Sequence, residues 1–281
     1  MNRLPKKNIV IAPCGNKSYL FNSSWLKDNQ NRDFDICLMF YHENIDNPKL
    51  YEHVDYFFHL KDFKYLMLHK LLTEIKPEWI SEYEYFYFLD DDIEIETLEI
   101  NRMFNLSKAF NASVSQASLS SDSYCSWPIF KLNNHCFLRY VGQIEVMAPL
   151  FDRTTLLLCL PTFTGTLSSW GIDSVWSRLL NYSESKMIVF DDLQMKHTLP
   201  VGGGELYKKL GVDPRQEWVE ITNKYGAKLQ NYVEYGRLKK LHVKKNKVYK
   251  ISNYLNQLMS TLSRKIRDYD LSSRIRLKLN R

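Results

Sequence analysis

The chain has 281 residues and a mass of 33.4 kDa, with 44% hydrophobic and 25% charged residues and a formal net charge of +6. That is a globular composition, long enough for a sizeable core, and it excludes disordered, collagen-like and coiled-coil chains. The charge is divided: residues 237–281 hold 14 Lys/Arg against 2 Asp/Glu, while the rest holds 24 against 30, so an acidic body carries a basic tail. A uniformly basic nucleic-acid binder would not divide in this way, and no nucleic-acid partner is expected.

In chain order, residues 8–13 (NIVIAP) predict a buried strand, followed by the loop CGNKSYL and a helical stretch to about Gln30. FDICLMFY (34–41) and VDYFFH (54–59) have the length and apolar density of two further strands. Residues 62–76 place Phe63, Leu66, Met67, Lys70 and Leu71 at helical spacing, and Pro77 breaks or restarts that helix. EYFYFL (84–89) is an aromatic strand ending directly in Asp90-Asp91-Asp92. Strands alternating with helices imply an α/β layered fold with a mostly parallel central sheet flanked by helices. In such sheets ligands bind beyond the carboxyl ends of the strands, where the loop after NIVIAP and the acidic triplet would both lie. The composition shifts after about residue 205, which suggests a catalytic domain over 1–205 and a basic, mainly helical extension over 206–281.

Three consecutive carboxylates repel one another and need a cation or full solvation. In an extended segment Asp90 and Asp92 point the same way while Asp91 points elsewhere. Two hard oxygen ligands suit Mg²⁺ or Mn²⁺; the alternative is an exposed turn opening the next helix. Further on, SSWGIDSVW (168–176) sets Trp170 and Gly171 before Asp173, which stands at the start of an apolar-faced helix. Asp173 is either a helix cap or a carboxylate able to take a proton from an acceptor hydroxyl. KMIVFDD (186–192) is a late strand, with His197 in a loop after it, followed by Pro200 and Gly202-Gly203-Gly204, a stretch fit for a mobile flap or a hinge. His197 is a candidate third metal ligand. Glu145, in GQIEVMAP, is a carboxylate in an otherwise apolar strand-like run, where a charge needs a partner or a task.

The tail places Ile251, Tyr254, Leu255, Leu258, Leu262, Ile266 and Tyr269 at helical steps among Lys and Arg. It reads as a basic amphipathic helix, suited either to an anionic membrane surface or to packing on the acidic body. Five scattered cysteines without a C-x-x-C pair read as free thiols in a reducing compartment. The first residues lack the apolar core of a signal peptide and no run reaches the ~18 apolar residues of a membrane span, so a cytoplasmic chain, peripheral on the inner face of a membrane, is expected.

This ordered set resembles the GT-A glycosyltransferases, and most closely a group of plant and bacterial glycosyltransferase-like proteins long catalogued as a domain of unknown function. The landmarks are FDICLMFYHE, FKYLMLHKLL, YEYFYFLDDDIEI, VSQASLS, GQIEVMAPLFDR, SSWGIDSVW and MKHTLP, covering roughly residues 8–200. The resemblance implies a GT-A-like (Rossmann-like) fold and a metal-dependent glycosyltransferase. Such an enzyme uses a nucleotide-diphosphate sugar, UDP-sugar favoured, and a glycan or lipid-linked acceptor of the cell-surface polysaccharide type. It implies that Asp90, Asp92 and His197 hold Mn²⁺ or Mg²⁺, and that Ala12, Pro13, Gly15 and Lys17 cradle the nucleoside. Asp91 would reach the ribose or sugar, Lys64 the diphosphate and Gln116 the donor sugar. On the acceptor side, Asp173 is the favoured base of an inverting displacement, Glu145 is the second candidate, and Trp170 with Gly171 receives the sugar ring. Two rivals remain: another metal-dependent phosphate enzyme such as a nucleotidyltransferase, and a non-catalytic, membrane-docked protein of the same fold.

Overall fold

The computed structural model describes residues 6–201 and 211–240. Strand β1 (Asn8–Cys14) is apolar on both faces, so it can be stable only between neighbours that cover both; Ile9, Val10 and Ile11 are fully buried. It pairs in parallel with β2 (Asp35–Phe40) on one side and β4 (Tyr85–Phe88) on the other, and β2 pairs in parallel with β3 (Tyr56–His59). Between β3 and β4 run α1 (Lys64–Lys70), a wider helical turn over Leu71–Ile75 and, after the break at Pro77, α2 (Trp79–Glu82).

The second half holds the short β5 (Ile93–Glu94), α3 (Thr97–Ala109), β6 (Val114–Leu119), β7 (Cys136–Val141) and β8 (Leu150–Asp152). It continues with α4 (Arg153–Cys159), α5 (Ile172–Leu179), β9 (Met187–His197), α6 (Pro214–Tyr225) and β10 (Glu234–Lys239). The sheet order is β10-β7-β9-β6-β8-β4-β1-β2-β3. Along this order β7 and β8 run against the common direction, β8 standing between β4 and β6, and off this path β5 pairs antiparallel with β9. The architecture is therefore the expected α/β layering around a mixed, mostly parallel sheet.

Four local expectations meet a different outcome. The run GQIEVMAP is a loop: β7 ends at Val141, and Gly142 lies against Asn231, whose carbonyl would be 2.3 Å from a Cβ there. His197 is the last residue of a long β9 and pairs with Ile93 of β5, so it is not in a loop. Helix α3 begins only at Thr97, after β5 has been inserted. Helix α6 and β10, beyond residue 205, belong with the sheet: β10 pairs with β7, and the compact unit reaches Lys240. The basic helix expected over 251–271 and the glycines at 202–204 lie outside the described residues.

Strand β9 keeps register with β6 up to Phe190 and resumes at Gln194. In the bulge Asp191 is fully buried and accepts from Arg139 Nε at 2.7 Å and Nη2 at 2.9 Å, and from the Asn133 amide at 2.9 Å. Beyond this bulge the end of β9 pairs with β5. All five cysteines are free thiols. No helix among the described residues is long and apolar enough to cross a membrane.

Candidate active site

The acidic triplet leaves β4 at the carboxyl edge of the sheet, and its three carboxylates go to three different partners. Asp90 Oδ1 lies 2.7 Å from Lys64 Nζ, which also donates to the carbonyls of Phe88 (3.2 Å), Val146 (3.0 Å) and Met147 (2.9 Å). An ammonium has only three N–H bonds, so Lys64 is spent as a clamp joining α1, β4 and the loop 142–149. Burial lowers the pKa of Lys64 and raises that of Asp90, the charge of each partly opposing the shift of the other. Asp91 turns toward the loop after β1, where it accepts from the Ser18 hydroxyl and from Tyr41 Oη at 3.1 Å. Asp92 Oδ2 lies 3.1 Å from His197 Nε2, while its Oδ1 is buried with no hydrogen-bond partner.

The β5–β9 pairing brings Asp92 and His197 together across 105 residues, and the Thr198 amide and hydroxyl both donate to the Asp92 carbonyl, at 3.0 and 2.8 Å. His197 Nδ1 lies 3.2 Å from the Tyr124 carbonyl. With Nδ1–H donating there, Nε2 of a neutral ring turns a lone pair toward a carboxylate, which is unfavourable unless a proton or a metal cation lies between them. Burial alone would lower the His197 pKa, but the hydrogen bond and charge of Asp92 and the charge of Asp90 raise it overall. The orphaned Asp92 oxygen and this imidazole are hard donors that fit Mn²⁺ or Mg²⁺. No group of three or more such ligands is gathered among the described residues, and one oxygen of Asp90 is engaged by Lys64.

Beside this pair opens a cleft of about 300 Å³ that Asp90, Asp92, Glu145, Trp170, Asp173 and His197 all line. Asp173 stands in the first turn of α5, 7% exposed. Burial pushes its pKa up to about 6, against the lowering effect of hydrogen bonds from Gln143, the Ser174 amide and Tyr232. Glu145 is 8% exposed, and its carboxyl makes no hydrogen bond among the described residues. Burial first, then the charges of Asp173 and Asp90, raise its pKa well above the usual carboxylate range.

The WG turn has a steric cause. Gly171 has φ +88°, and a Cβ there would meet Trp218 Cδ1 at 2.5 Å and Trp218 Cα at 2.9 Å. Helix α6 packs directly on this turn, and its Glu217 accepts from the amides of Leu167 and Ser168, both at 2.8 Å. Trp170 is thereby held in the cleft, edge-on to Trp218 at 5.9 Å. Tyr232 stacks on Trp127 at 4.4 Å and lies 3.4 Å from Asp173 Oδ2. Sequence reasoning missed Trp127, Trp218 and Tyr232, because no local pattern brings them to one wall. It also missed Ser18 and Tyr41, the partners of Asp91.

Most of the remaining expected residues lie outside the cleft wall. Ala12 is buried and Pro13 half-buried at the end of β1, Gly15 and Lys17 lie in the loop after it, and none of the four lines the cleft. Gly15 permits a close approach, since a Cβ there would be 2.6 Å from the Tyr41 ring. Gln116 is fully buried beneath the cleft and accepts from the Glu145 amide at 3.1 Å, so it supports that loop and does not face the cavity. Lys64 lines the cleft with its ammonium already engaged.

The protein has a mixed, mostly parallel α/β fold with an acidic cleft at the carboxyl edge of the sheet. Residues 2–245 match the family described as "Protein of unknown function (DUF707)", and the chain belongs to that family. No curated protein matches the sequence. Among solved structures, that of GalNAc-T7 with UDP, GalNAc and Mn²⁺ is similar with a TM-score of 0.56 and 12% identity, over 78% of this chain and 50% of that one. S. aureus TarS is similar with a TM-score of 0.45 and 12% identity, over 80% of this chain and 40% of that one. The chain thus spans half or less of these proteins' lengths, and the likeness is one of fold.

Proposed function

We propose that the protein is a metal-dependent glycosyltransferase that moves a sugar from a nucleotide-diphosphate donor, UDP-sugar favoured, to a hydroxyl of a glycan or lipid-linked acceptor. The observation that carries this reading is the convergence in one cleft of the Asp92–His197 pair and the buried carboxyl groups of Asp173 and Glu145. UDP and Mn²⁺ stand in the GalNAc-T7 structure of similar fold, which supports the same kind of donor here.

A divalent cation held by Asp92 and His197 would neutralise charge on the leaving diphosphate. Lys64 keeps Asp90 at the cleft, and Asp91 with Ser18 and Tyr41 forms a polar corner fit for the ribose or sugar hydroxyls. Asp173 is buried and its pKa is pushed up to about 6, which suits a base that takes the proton from an attacking hydroxyl and gives inversion in a single displacement. Trp170 offers a face to the acceptor ring. The basic tail would hold the enzyme against an anionic membrane surface, on the cytoplasmic side.

The test is a thermal-shift screen of UDP-, GDP- and CMP-sugars with Mn²⁺, followed by measurement of free nucleotide. A metal-dependent shift with one donor class and slow nucleotide release is expected. No shift with any nucleotide diphosphate, or a requirement for a triphosphate, would overturn the reading.

A further inference from the structure

A polar network stands behind Asp173, built from the start of the loop 142–149, from α5 and from the segment 229–232. Gln143 is fully buried, and its Oε1 accepts from the Asn231 amide at 2.9 Å. A backbone amide can only donate, so this contact fixes which end of the Gln143 side chain is Nε2. Nε2 then lies 3.0 Å from Tyr232 Oη and 3.2 Å from Ser174 Oγ. Ser174 Oγ takes a second donor, Trp218 Nε1 at 3.0 Å, and sends its own hydrogen to the Leu229 carbonyl at 2.7 Å. Asn231 Nδ2 donates to the Gly142 carbonyl at 2.9 Å, which fastens the segment 229–232 to the loop beside Gln143.

The Tyr232 ring is held by its stack on Trp127 and by the edge of Phe130 at 5.7 Å, so its hydroxyl has a fixed place. With Gln143 donating to its oxygen, the phenol turns its own hydrogen to Asp173 Oδ2, 3.4 Å away. Burial first, then the charges of Asp173 and Glu145, raise the pKa of Tyr232, so the phenol keeps that hydrogen. The other oxygen of the carboxylate, Oδ1, accepts from the Ser174 amide at 2.9 Å. Donors on both oxygens resist rotation about the Cβ–Cγ bond and pre-orient the group. We propose that Tyr232 is a positioning residue for the base: backed by Gln143, its hydroxyl donates to Asp173 Oδ2 and, with the Ser174 amide on Oδ1, holds the carboxylate ready to take the proton of the acceptor hydroxyl. This rests on the transferase reading and adds to it the residue that orients and tunes the base. Among the described residues, the other ionisable groups bearing on Asp173 are Glu145 from the loop 142–149 and Tyr65 from α1, whose pKa values its charge raises. Lys64, Asp90, Asp92 and His197 line the same cleft. Of the charged groups on the elements packed around α5, Glu217 accepts from the Leu167 and Ser168 amides, Arg153 donates to the Tyr83 carbonyl, and the Lys228 ammonium lies over the Tyr182 ring. Tyr232→Phe leaves each of these in place.

The experiment follows thermal unfolding of the full chain in EDTA from pH 4 to 9, with Asp173 and with Asp173→Asn, each with and without Tyr232→Phe, which keeps the ring on Trp127 and removes only the hydroxyl. The stability difference between the Asp and Asn forms grows with pH and levels off once the folded carboxyl is ionised. With Tyr232 in place it levels off above about pH 6. With Tyr232→Phe it should level off about half to one pH unit higher, the size expected for a hydroxyl contact longer than the usual bond. The acid limb of the pH profile of turnover should move up by the same amount. An unchanged or lowered levelling-off overturns the inference. So does a stability curve that moves while the acid limb stays, since Asp173 would then not govern turnover. Should Tyr232→Phe not fold, Gln143→Met, which withdraws the donor behind the phenol, is measured in its place, with the same upward move expected and the same refutation. A stability curve that moves as expected, with no nucleotide released from any sugar donor by the unmodified chain, keeps the contact between Tyr232 and Asp173 and sinks the transferase reading instead.

Discussion

Replacing Asp173 with Asn should stop transfer and make the protein more stable, because the features that suit this carboxylate to act as a base also make it costly to fold around. Its pKa rises from 3.8 to about 6 on folding, burial being the main cause. A rise of about two units corresponds to about 3 kcal/mol of folding free energy given up once the group is ionised. The sign follows from linkage: with the folded value above the unfolded one, this contribution is fully present below about pH 4 and is lost as pH rises through about 6. Asn cannot ionise, and its single carbonyl keeps one of the two acceptor positions used by the Ser174 amide and Tyr232. Allowing about 1 kcal/mol for the altered contact leaves a gain of roughly 2 kcal/mol at pH 7.5, or several degrees in Tm for a chain of this size. The assay is thermal unfolding of wild type and Asp173→Asn in EDTA from pH 4 to 8. The two curves should nearly meet at pH 4 and diverge to a plateau above pH 7, and wild-type transfer should fall below about pH 6. A variant that is less stable at pH 7.5, or a difference that does not change with pH, refutes the burial argument. Normal turnover by the variant refutes the base assignment.

Asp92→Ala and His197→Ala should each abolish the Mn²⁺-dependent Tm rise produced by UDP, which at a hundredfold excess over Kd is worth about 2.7 kcal/mol in wild type; a retained shift would place the metal elsewhere. Gly171→Ala forces a left-handed alanine into Trp218 and should cost about 2 kcal/mol or more in urea unfolding, with loss of transfer as α6 moves off the turn. Arg139→Met leaves the Asp191 charge buried without its counter-ion and should destabilise by about 3–5 kcal/mol, whereas adding Asp191→Leu should recover much of the loss. Removing residues 241–281 should release the protein from sedimenting anionic vesicles; continued co-sedimentation would assign that attachment to the folded body.

The strands of the first half were legible because continuous apolar runs such as NIVIAP and DICLMF can be satisfied only inside a sheet covered on both faces, and that need is local. The acidic triplet after an aromatic strand was legible for the same reason: strand direction alone puts it at the ligand-binding edge. GQIEVMAP shows the limit. Its apolar pattern is as strand-like as that of β6, yet it runs as a loop that brings Glu145 to the cleft, with Asn231, from 89 residues away, packed on Gly142 and donating to its carbonyl. The residues after His197 singled it out in the chain, but not its partner: the pairing of β9 with β5 puts the imidazole beside Asp92.

The sequence alone therefore determined the elements that each residue's immediate neighbours can stabilise: the parallel half of the sheet, the edge carrying the carboxylates, and the helix start that holds Asp173. Tertiary structure decided which of Asp90, Asp91 and Asp92 meets which partner, that Lys64 is a clamp, and that Trp127, Trp218 and Tyr232 form one wall. Those outcomes depend on contacts between residues tens to a hundred positions apart, and periodicity in a short window carries no information about such contacts.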